Sequence, residues 1–242
     1  MIYIQCEAPS DGAQLLAEQL RGEGLPARRT RDVEKLHKWL KREDLIIGWG
    51  EFIPFAGVKV LNGKPLPSKL RELELLSEAG VPVPPFDTFN WGEGWLGRSL
   101  HHQEGGDFLP IGEAPKVSFF TRKLEILREF RFHVFKFGDV FKSIRGGERV
   151  PRIPEHHPWV RSWDAGWKIS YGNALEGAGK AREAAKKALE AVGYDFGAVD
   201  VGILRGGEPV VIEVNARPGL EARGKTVLKY VEAIRGIVNG QD

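Results

Sequence analysis

The sequence predicts a protein of mixed α/β and α+β class, in which a small parallel α/β unit is followed by antiparallel sheets. The first fifty residues give strand, helix, helix and strand signals in that order, which is typical of a parallel unit. Towards the C-terminus two apolar runs with β alternation, Ala198–Leu204 and Pro209–Val214, flank the pair Gly206-Gly207. A glycine pair between such runs indicates a β-hairpin, because glycine supplies the positive φ of tight hairpin turns.

The composition indicates a globular protein and excludes several other classes. With 242 residues, 42% of them hydrophobic and 28% charged, the chain can bury a sizeable core as one large domain or two small ones. A net charge of +2 gives no argument for binding nucleic acid or an anionic membrane. Cys6 is the only cysteine, so an intramolecular disulfide is excluded. The apolar start is too short for a signal peptide and no run reaches membrane-spanning length, so we expect a cytoplasmic protein.

The N-terminal unit is predicted from four elements. Ile2–Cys6 is typical of a buried strand, and Asp44–Gly50 of a strand that runs into a glycine turn. Between them, Ser10 or Asp11 can cap one amphipathic helix and Asp32 a second. The unit contains no GxGxxG motif and no phosphate-binding loop, so we expect a packing or substrate-side lobe rather than a nucleotide site.

The next segment is predicted to carry a lid. Val58–Pro67 is a turn-rich connection, and Ser68 caps a helix that ends at Gly80. The segment Trp91–Phe108 then has many glycines, almost no apolar periodicity and a single arginine, Arg98. Its two adjacent histidines are more typical of an exposed loop than of a metal site. A glycine-rich backbone beside a cation suits a phosphate lid, because bare N–H groups can approach phosphate oxygens closely.

Alternating runs predict a sheet in the centre of the chain. Arg131, Lys142 and Arg145 would form a cationic edge near any bound triphosphate, whereas His133 and Lys136 also suit an ordinary core strand with a basic side. The predicted strands are Lys116–Leu124, Glu129–Phe137 and Val140–Ile144.

The segment Val150–Gly172 is predicted to be a loop, with prolines, three tryptophans and the basic residues Arg152, Arg161 and Lys168. Aromatic and basic residues in alternation can stack nucleic-acid bases, but we favour a substrate-side loop because tryptophans also serve as ordinary anchors. Two amphipathic helices, Ala181–Val192 and Thr226–Val238, flank the C-terminal hairpin.

The hairpin itself predicts a metal site. Counting outward from a two-residue turn at Gly206-Gly207 places Asp200 directly opposite Glu213, with Asn215 on the same face. Like charges at such a pair are destabilising, and oxygen ligands favour Mg²⁺ or Mn²⁺, so we expect a bound cation. The alternative is a solvated hairpin face. The opposite, apolar face is predicted to comprise Val199, Val201, Ile203, Val210, Ile212 and Val214.

These features together resemble the ATP-grasp superfamily of ATP-dependent carboxylate–amine ligases. The resemblance rests on Asp200 followed by Glu213-Val214-Asn215-Ala216-Arg217-Pro218-Gly219, which matches E-x-N-x-x-P-G. It implies a small N-terminal α/β lobe, residues 1–65, and an ATP-grasp domain, residues 66–242. In that domain a lid-bearing part (66–125) and a metal-binding part (126–242), both α+β, would grip ATP between antiparallel sheets. The segments 129–135 and 166–168 look especially like the compact ligases encoded by some bacteriophages, which would place the protein in the host cytoplasm.

The resemblance also implies residue roles. Mg²⁺ (or Mn²⁺) bridging the ATP phosphates would be held by Asp200, Glu213 and Asn215. Many relatives carry an arginine two residues before the metal aspartate; here that position is Ala198, so another cation must stabilise the oxyanion. The remaining implied roles are phosphate binding by Arg98 with the lid glycines Gly105 and Gly106, adenine reading at the hinge residues Lys123 and Leu124, and contact with the transferred phosphate or acyl intermediate by Arg131, Lys142 and Arg217.

The expected function is therefore an ATP-dependent ligase that forms an amide or peptide bond through an acyl phosphate, with release of ADP and phosphate. The alternatives are an ATP-grasp-type phosphotransferase acting on a hydroxyl, and a non-catalytic module that binds ATP or nucleic acid. The expected partners are a small-molecule or peptide carboxylate and an amine, with no membrane and no nucleic acid. The basic residues Arg152 and Lys168 favour an acidic acceptor.

Overall fold

The computed structural model describes residues 1–6, 9–50, 55–89, 92–100, 117–158, 160–171, 175, 177–220 and 224–240. Within these ranges no helix is long and apolar enough to cross a membrane. The strands are β1 (Ile2–Gln5), β2 (Ala27–Thr30), β3 (Leu45–Gly48), β4 (Lys59–Leu61), β5 (Phe86–Asp87), β6 (Trp95–Arg98), β7 (Phe119–Arg122), β8 (Ile126–Phe137), β9 (Val140–Pro151), β10 (Trp167–Ser170), β11 (Phe196–Leu204) and β12 (Pro209–Asn215). The helices are α1 (Asp11–Gly22), α2 (Val33–Trp39), α3 (Lys69–Glu78), α4 (Gly179–Val192) and α5 (Lys225–Val238).

The N-terminal strands form the predicted parallel sheet, in the order β2-β1-β3-β4. Its central strands β1 and β3 are buried along their whole length, as expected for a parallel sheet covered by helices. Three helices begin at predicted caps: the side chains of Ser10, Asp32 and Ser68 each accept a backbone N–H three residues on. The sequence analysis missed β2 and β4, because these strands of four and three residues are too short to show alternation.

A five-stranded antiparallel sheet, in the order β10-β9-β8-β11-β12, forms the centre of the molecule. One face packs on α4 through Phe130, Phe132, Val199 and Val201. The other face packs at one end against the N-terminal sheet and α5, where Phe135 and Phe196 contact Tyr230. The rest of that second face carries the candidate site, so the site lies beside the junction of the two sheets.

Strand β9 is longer than predicted, and β10 lies inside the segment that was predicted to be a loop. The predicted strand ends at Ile144, before Gly146-Gly147, yet β9 continues to Pro151. Neighbouring side chains leave no room for a Cβ at these glycines: a Cβ on Gly146 would lie 2.8 Å from the Phe132 ring. Glycine in a strand here marks a close approach rather than an end.

A third, small antiparallel sheet has the order β5-β7-β6. Strand β7 lies within the predicted run Lys116–Leu124 but is shorter, and β6 is a strand within the segment predicted as an irregular lid. The predicted lid glycines Gly105 and Gly106 lie outside the described residues.

The N-terminal sheet is joined to the central sheet by a buried hydrogen-bonded contact. The Asn62 side chain, directly after β4, accepts the backbone N–H groups of Asp195 (2.7 Å) and Phe196 (3.1 Å) and donates to the Phe196 carbonyl (2.8 Å). The apolar cluster that includes β1 and β3 also contains Phe135, Phe196 and α5. The predicted boundary between residues 65 and 66 stays a prediction.

Candidate active site

The C-terminal hairpin places Asp200 opposite Glu213, as predicted, but its turn and its strand pairing differ from the predicted ones. The loop has three residues, 205–207: Leu204 accepts the N–H of Gly207, whose φ is +85°, and donates to the carbonyl of Glu208. Pairing near the turn is therefore one residue out of the predicted register, with Ile203 opposite Pro209. A β-bulge at Ile212 restores the register, so that Val201 pairs with Val211 and Asp200 with Glu213.

Because of this bulge, the apolar face of the hairpin differs from the predicted one. Val211, opposite Val201, is fully buried in the cluster under α4, in place of Val210 and Ile212. Val214 lies in that cluster as predicted.

Asp200 lies at the centre of a row that crosses four strands. The row runs from Gly147 on β9 through Arg131 on β8 and Asp200 on β11 to Glu213 on β12, since each is the Cα partner of the next. Directly paired residues project from the same face, so the predicted cation Arg131 and both predicted metal carboxylates converge.

Two guanidinium groups hold the Asp200 carboxylate. Arg131 binds it with both prongs of its fork, Nε to Oδ1 and Nη2 to Oδ2, each at 2.7 Å. Arg149 adds a third bond, from Nη2 to Oδ2 at 2.7 Å. Burial alone raises the pKa of Asp200, but Arg131 and Arg149 outweigh it and hold that pKa well below its usual range. Asp200 is thus ionised and tightly oriented by cations from β8 and β9.

A second carboxylate, Glu129, lies buried behind Asp200. Its Oε1 is 2.5 Å from Nε of Arg149, and its Oε2 is 3.8 Å from Nε of Arg161. Burial raises the pKa of Glu129 to about 7 in spite of Arg149, with the Asp200 charge adding to the rise. Arg149 therefore bridges two carboxylates on two strands.

Glu213 is held from the other side by Lys69, the first residue of α3. The Lys69 Nζ lies 2.7 Å from Glu213 Oε1 and 3.5 Å from Oε2 of Glu72, which is itself buried and accepts the Val214 N–H at 3.0 Å. Burial opposes the charge on each group, yet Lys69 lowers the pKa of Glu213 while the pKa of Glu72 is raised. The pKa of Lys69 is raised, since the two carboxylates outweigh its burial. Lys69 is therefore a charged ammonium ion that neutralises Glu213.

The loop after β12 is fitted closely to the N-terminal lobe. The Asn215 Oδ1 accepts the N–H of Arg217 at 2.8 Å, which is an Asx turn. Arg217 passes over Gly50, whose φ is +77° and on which a Cβ would lie 2.8 Å from the Arg217 Cβ. Gly50 thus permits the approach that places Asn215 and Arg217 at the edge of the site.

The other predicted site residues have diverse positions. Arg98, at the end of β6, is close enough to Lys69 for its positive charge to oppose the rise in the pKa of that lysine, without reversing it. Lys123 and Leu124 form the link between β7 and β8, where the Lys123 N–H donates to the Gly94 carbonyl at 2.8 Å. Lys142 is exposed over the Phe137 ring, opposite Phe135 and away from the carboxylates.

The two residues predicted to bind substrate, Arg152 and Lys168, are both exposed. The Arg152 guanidinium lies 4.4 Å from the Trp163 ring centroid and donates to that residue's carbonyl. Lys168 lies on β10, opposite Val150. Neither residue lies in the cross-strand row that contains Asp200, and neither is buried as Asp200 is.

Sequence reasoning missed Lys69, Glu72, Glu129 and Arg149. Two of them left a local signal: Glu129 alternates with Arg131 in the predicted strand, and Arg145, Gly147 and Arg149 alternate on one face once β9 is extended past its glycines. Lys69 and Glu72 lie far along the chain from Glu213 and had no such signal.

The donor set of the hairpin fits a hard divalent cation. No three His, Cys, Asp or Glu side chains in the described part of the chain converge on one point, so the candidate ligands are the two carboxylates and one amide of Asp200, Glu213 and Asn215. Mg²⁺ is commonly held by one or two carboxylates together with substrate phosphates and water, which suits so small a set. In the structure Lys69 pairs with Glu213, and Arg131 and Arg149 pair with Asp200.

Solved structures share this architecture. N5-carboxyaminoimidazole synthetase from Staphylococcus aureus is 16% identical with a TM-score of 0.72, over 100% of this chain and 77% of that one. The corresponding ribonucleotide synthetase from Thermotoga maritima is 15% identical with a TM-score of 0.69, over 98% and 75%. The ATP-grasp ligase PsnB, in complex with precursor peptide PsnA2 and AMPPNP, is 14% identical with a TM-score of 0.66, over 98% of each chain.

The chain has the ATP-grasp fold. No protein-family model and no curated protein matches it, and identities of 14–16% establish the fold alone. Within the ATP-grasp fold, the small sheet with β6 and the five-stranded sheet with Asp200 are the two antiparallel sheets that the sequence predicted.

Proposed function

We propose that the protein is an ATP-dependent carboxylate–amine ligase. The observation that carries the proposal is the cross-strand pair of Asp200 and Glu213, with Asn215 two residues on, in an ATP-grasp fold. Both carboxylates have lowered pKa values and are paired with cations, Asp200 with Arg131 and Glu213 with Lys69. Such an arrangement supports binding a metal–triphosphate complex.

The proposed reaction has two steps. A substrate carboxylate oxygen attacks the γ-phosphorus of ATP, the bond to the β-phosphate oxygen breaks, and ADP leaves. The amine nitrogen then attacks the acyl carbon of the acyl phosphate, the carbon–oxygen bond to phosphate breaks, and the amine loses a proton as the amide forms. Both steps mainly require alignment and neutralisation of negative charge.

The chain's own residues would supply most of that neutralisation. Mg²⁺, held by Asp200, Glu213 and Asn215, would polarise the phosphate oxygens when bound. Lys69 and Arg98, at the Glu213 end of the site, are suited to the triphosphate. Arg131 and Arg149 keep Asp200 ionised and place cations where the acyl phosphate would form. The remaining roles stay part of the proposal: Lys123 and Leu124 at the adenine, Lys142 and Arg217 at the transferred phosphate, and Gly105 and Gly106 in the lid.

Likeness to PsnB supports a peptide or small-molecule ligase of the compact type. The structure of PsnB in complex with its minimal precursor, Mg and ADP is matched over 97% of that chain. The two synthetases above are matched over 75% and 77% of theirs. The likeness of segments 129–135 and 166–168 to phage-encoded ligases, and a cytoplasmic location, belong to the same proposal.

Hydroxylamine trapping tests the proposal. The protein is incubated with ATP, Mg²⁺ and a panel of amino acids and short peptides, and ADP and hydroxamate are measured together, since only an acyl phosphate gives a hydroxamate. Asp200→Asn and Glu213→Gln should each lower both products by roughly 100-fold or more, as loss of a group that positions transition-state charge does. Arg205→Gln, at an exposed ion pair with Glu125, is the control and should leave both unchanged.

Other outcomes distinguish the rivals. ADP formation that neither Asp200→Asn nor Glu213→Gln alters would refute the site. ADP formation with a phosphorylated hydroxyl and no hydroxamate would indicate a phosphotransferase. A protein that makes no ADP, but binds single-stranded nucleic acid with strong salt dependence in both variants, would be a binding module.

A further inference from the structure

A second row of residues lies one step along the central sheet from Asp200. It runs from Arg145 on β9 through His133 on β8 and Ala198 on β11 to Asn215 on β12, by the same pairing rule. The two rows are two residues apart, which is about 7 Å along the strands, and they project from the same face. Arg145 is thus beside the site but outside the carboxylate cluster.

The Arg145 guanidinium rests on an aromatic platform. Its Cζ is 4.1 Å from the centroid of the Tyr171 ring, a cation–π contact. The Tyr171 hydroxyl is 3.3 Å from Nε2 of His133, whose Nδ1 is 3.0 Å from the Tyr230 hydroxyl. Burial lowers the pKa of His133 to about 3, with Arg131 and Arg145 adding to the fall, so the imidazole is neutral. A neutral histidine between two hydroxyls holds Tyr171 without adding a competing charge.

Gly147 makes room for this platform. A Cβ on Gly147 would lie 2.8 Å from Cδ1 of Tyr171 and would also clash with Ile169. The glycine on β9 therefore serves two purposes: it lets β10 approach, and it seats the Tyr171 ring under Arg145.

Arg145 differs from its neighbours in having no anionic partner within the described ranges. Arg131 and Arg149 each form an ion pair with a carboxylate there, whereas Arg145 forms none; its buried Nε, like that of Arg149, has no hydrogen-bond partner among the described residues. A buried guanidinium N–H that lacks an acceptor is costly, and carboxylates are its best acceptors. This site is therefore complementary to an added anion.

The position of Arg145 would keep an anion bound there apart from the triphosphate. Lys69 contacts Glu213 at the β12 end of the site, and Arg98 is near Lys69. Arg145 is on β9, three strand spacings from β12, which is about 14 Å. In the proposed function the phosphates would have their own cations at the β12 end, and Arg145 lies at the β9 end.

We propose that Arg145, seated on Tyr171, anchors an acidic group of the substrate other than the carboxylate that is activated. The substrate class is then a dicarboxylate: an acidic amino acid, or a peptide with an acidic side chain. This rests on the proposed ligase function and moves the anchor for an acidic acceptor from the exposed residues Arg152 and Lys168 to the row beside Asp200.

Paired ligands test this assignment. The wild type, Arg145→Gln and Arg145→Lys are compared with L-glutamate and L-glutamine, and with dipeptides containing each, by hydroxamate formation and by calorimetric binding in the presence of AMPPNP and Mg²⁺. Arg145→Gln should raise the KM and Kd for the acidic ligands by roughly 10- to 150-fold, the range for a lost charged hydrogen-bonded pair, with the KM for ATP unchanged. Arg145→Lys should be intermediate, because lysine keeps the charge but loses the fork.

Two further variants keep the test decisive. Arg182→Gln removes an arginine on α4, which packs on the opposite face of the sheet, and should change nothing. Tyr171→Leu leaves Arg145 in place without its platform and should weaken the acidic ligands alone, by a smaller factor, so the inference survives if Arg145→Gln does not fold.

Different results would refute the Arg145 anchor and the ligase function. If Arg145→Gln keeps the wild-type preference for glutamate over glutamine while hydroxamate forms, the anchor is wrong and the ligase stands. If the wild type forms hydroxamate only from neutral carboxylates, or binds no acidic ligand by calorimetry, the dicarboxylate assignment is refuted. If no hydroxamate forms with any ligand, the ligase function fails with it.

Discussion

Replacing Arg149 with methionine is the sharpest test of the buried charge network. Arg149 is 11% exposed and contacts two carboxylates: its Nη2 is 2.7 Å from Asp200 Oδ2, and its Nε is 2.5 Å from Glu129 Oε1. Methionine keeps the apolar stem and removes the charge. Asp200 would retain its two bonds from Arg131, but Glu129 would retain only Arg161, at 3.8 Å.

The expected loss of stability follows from these distances. Removing one partner of a buried ion pair costs roughly 3–5 kcal/mol, because the other charge is left without compensation. Each carboxylate here keeps another cation, so we expect the lower end, about 3 kcal/mol at pH 8. For a chain of this length that corresponds to a fall in Tm of roughly 6–12 °C.

Unfolding in urea at two pH values measures the effect. The pKa of Glu129 is already about 7 because of burial, and loss of Arg149 should raise it further. Below that pKa Glu129 takes up a proton and no longer needs a cation, so the loss in Arg149→Met should shrink between pH 8 and pH 5.5. Arg205→Met, at an exposed pair, should lose less than about 0.5 kcal/mol. A loss below about 1 kcal/mol at pH 8, or an equal loss at both pH values, would refute the reasoning.

Two further predictions concern the same sheet. Glu129→Gln removes a group whose folded pKa lies above its unfolded value, and such a group adds stability below about pH 4.5 that is lost as the pH rises through 7. Relative to Glu129→Gln, the wild type should therefore lose stability between pH 4.5 and pH 8 in urea unfolding; a constant difference would contradict this. Asn62→Ala leaves three buried backbone groups unpaired at the junction of the sheets and should cost about 2–4 kcal/mol, whereas Asn239→Ala, at an exposed helix end, should cost little. An Asn62→Ala loss below about 1 kcal/mol would show that the junction does not depend on these bonds.

The predicted pairing of Asp200 with Glu213 is correct because two errors in the predicted hairpin cancel, one in the turn and one in the strand register. Counting from a two-residue turn gave the pair Asp200–Glu213, although the loop has three residues. The bulge at Ile212 adds one residue on β12 and restores the register at Asp200. Alternation therefore identified the carboxylates correctly, but it assigned Ile212 rather than Val211 to the core, since no pattern in the sequence marks the bulge.

The cations that hold the carboxylates were harder to predict than the carboxylates. Arg149 follows Gly146-Gly147, and glycine in a strand pattern indicates an end as readily as a close approach. Lys69 lies at the start of a helix whose apolar spacing predicts only packing, and it reaches Glu213 because α3 lies beside β12 in the folded chain. Local sequence pattern predicts strand register well, whereas contacts between distant segments depend on how the sheets and helices pack.

Charge balance explains why the site needs more cations than those that hold the carboxylates. Among the described residues, the buried carboxylates and the cations bound to them are equal in number, so this set by itself has little net charge before a ligand binds. A triphosphate and a second acidic group would add several negative charges to a poorly solvated site, which is unfavourable without further positive charge. The balanced set comprises Glu72, Glu129, Asp200 and Glu213 with Lys69, Arg131, Arg149 and Arg161. If the protein is the proposed ligase, the additional cations would be a divalent metal ion together with Arg98 at the phosphate end and Arg145 at the acceptor end, which makes the two ends of the site separately testable.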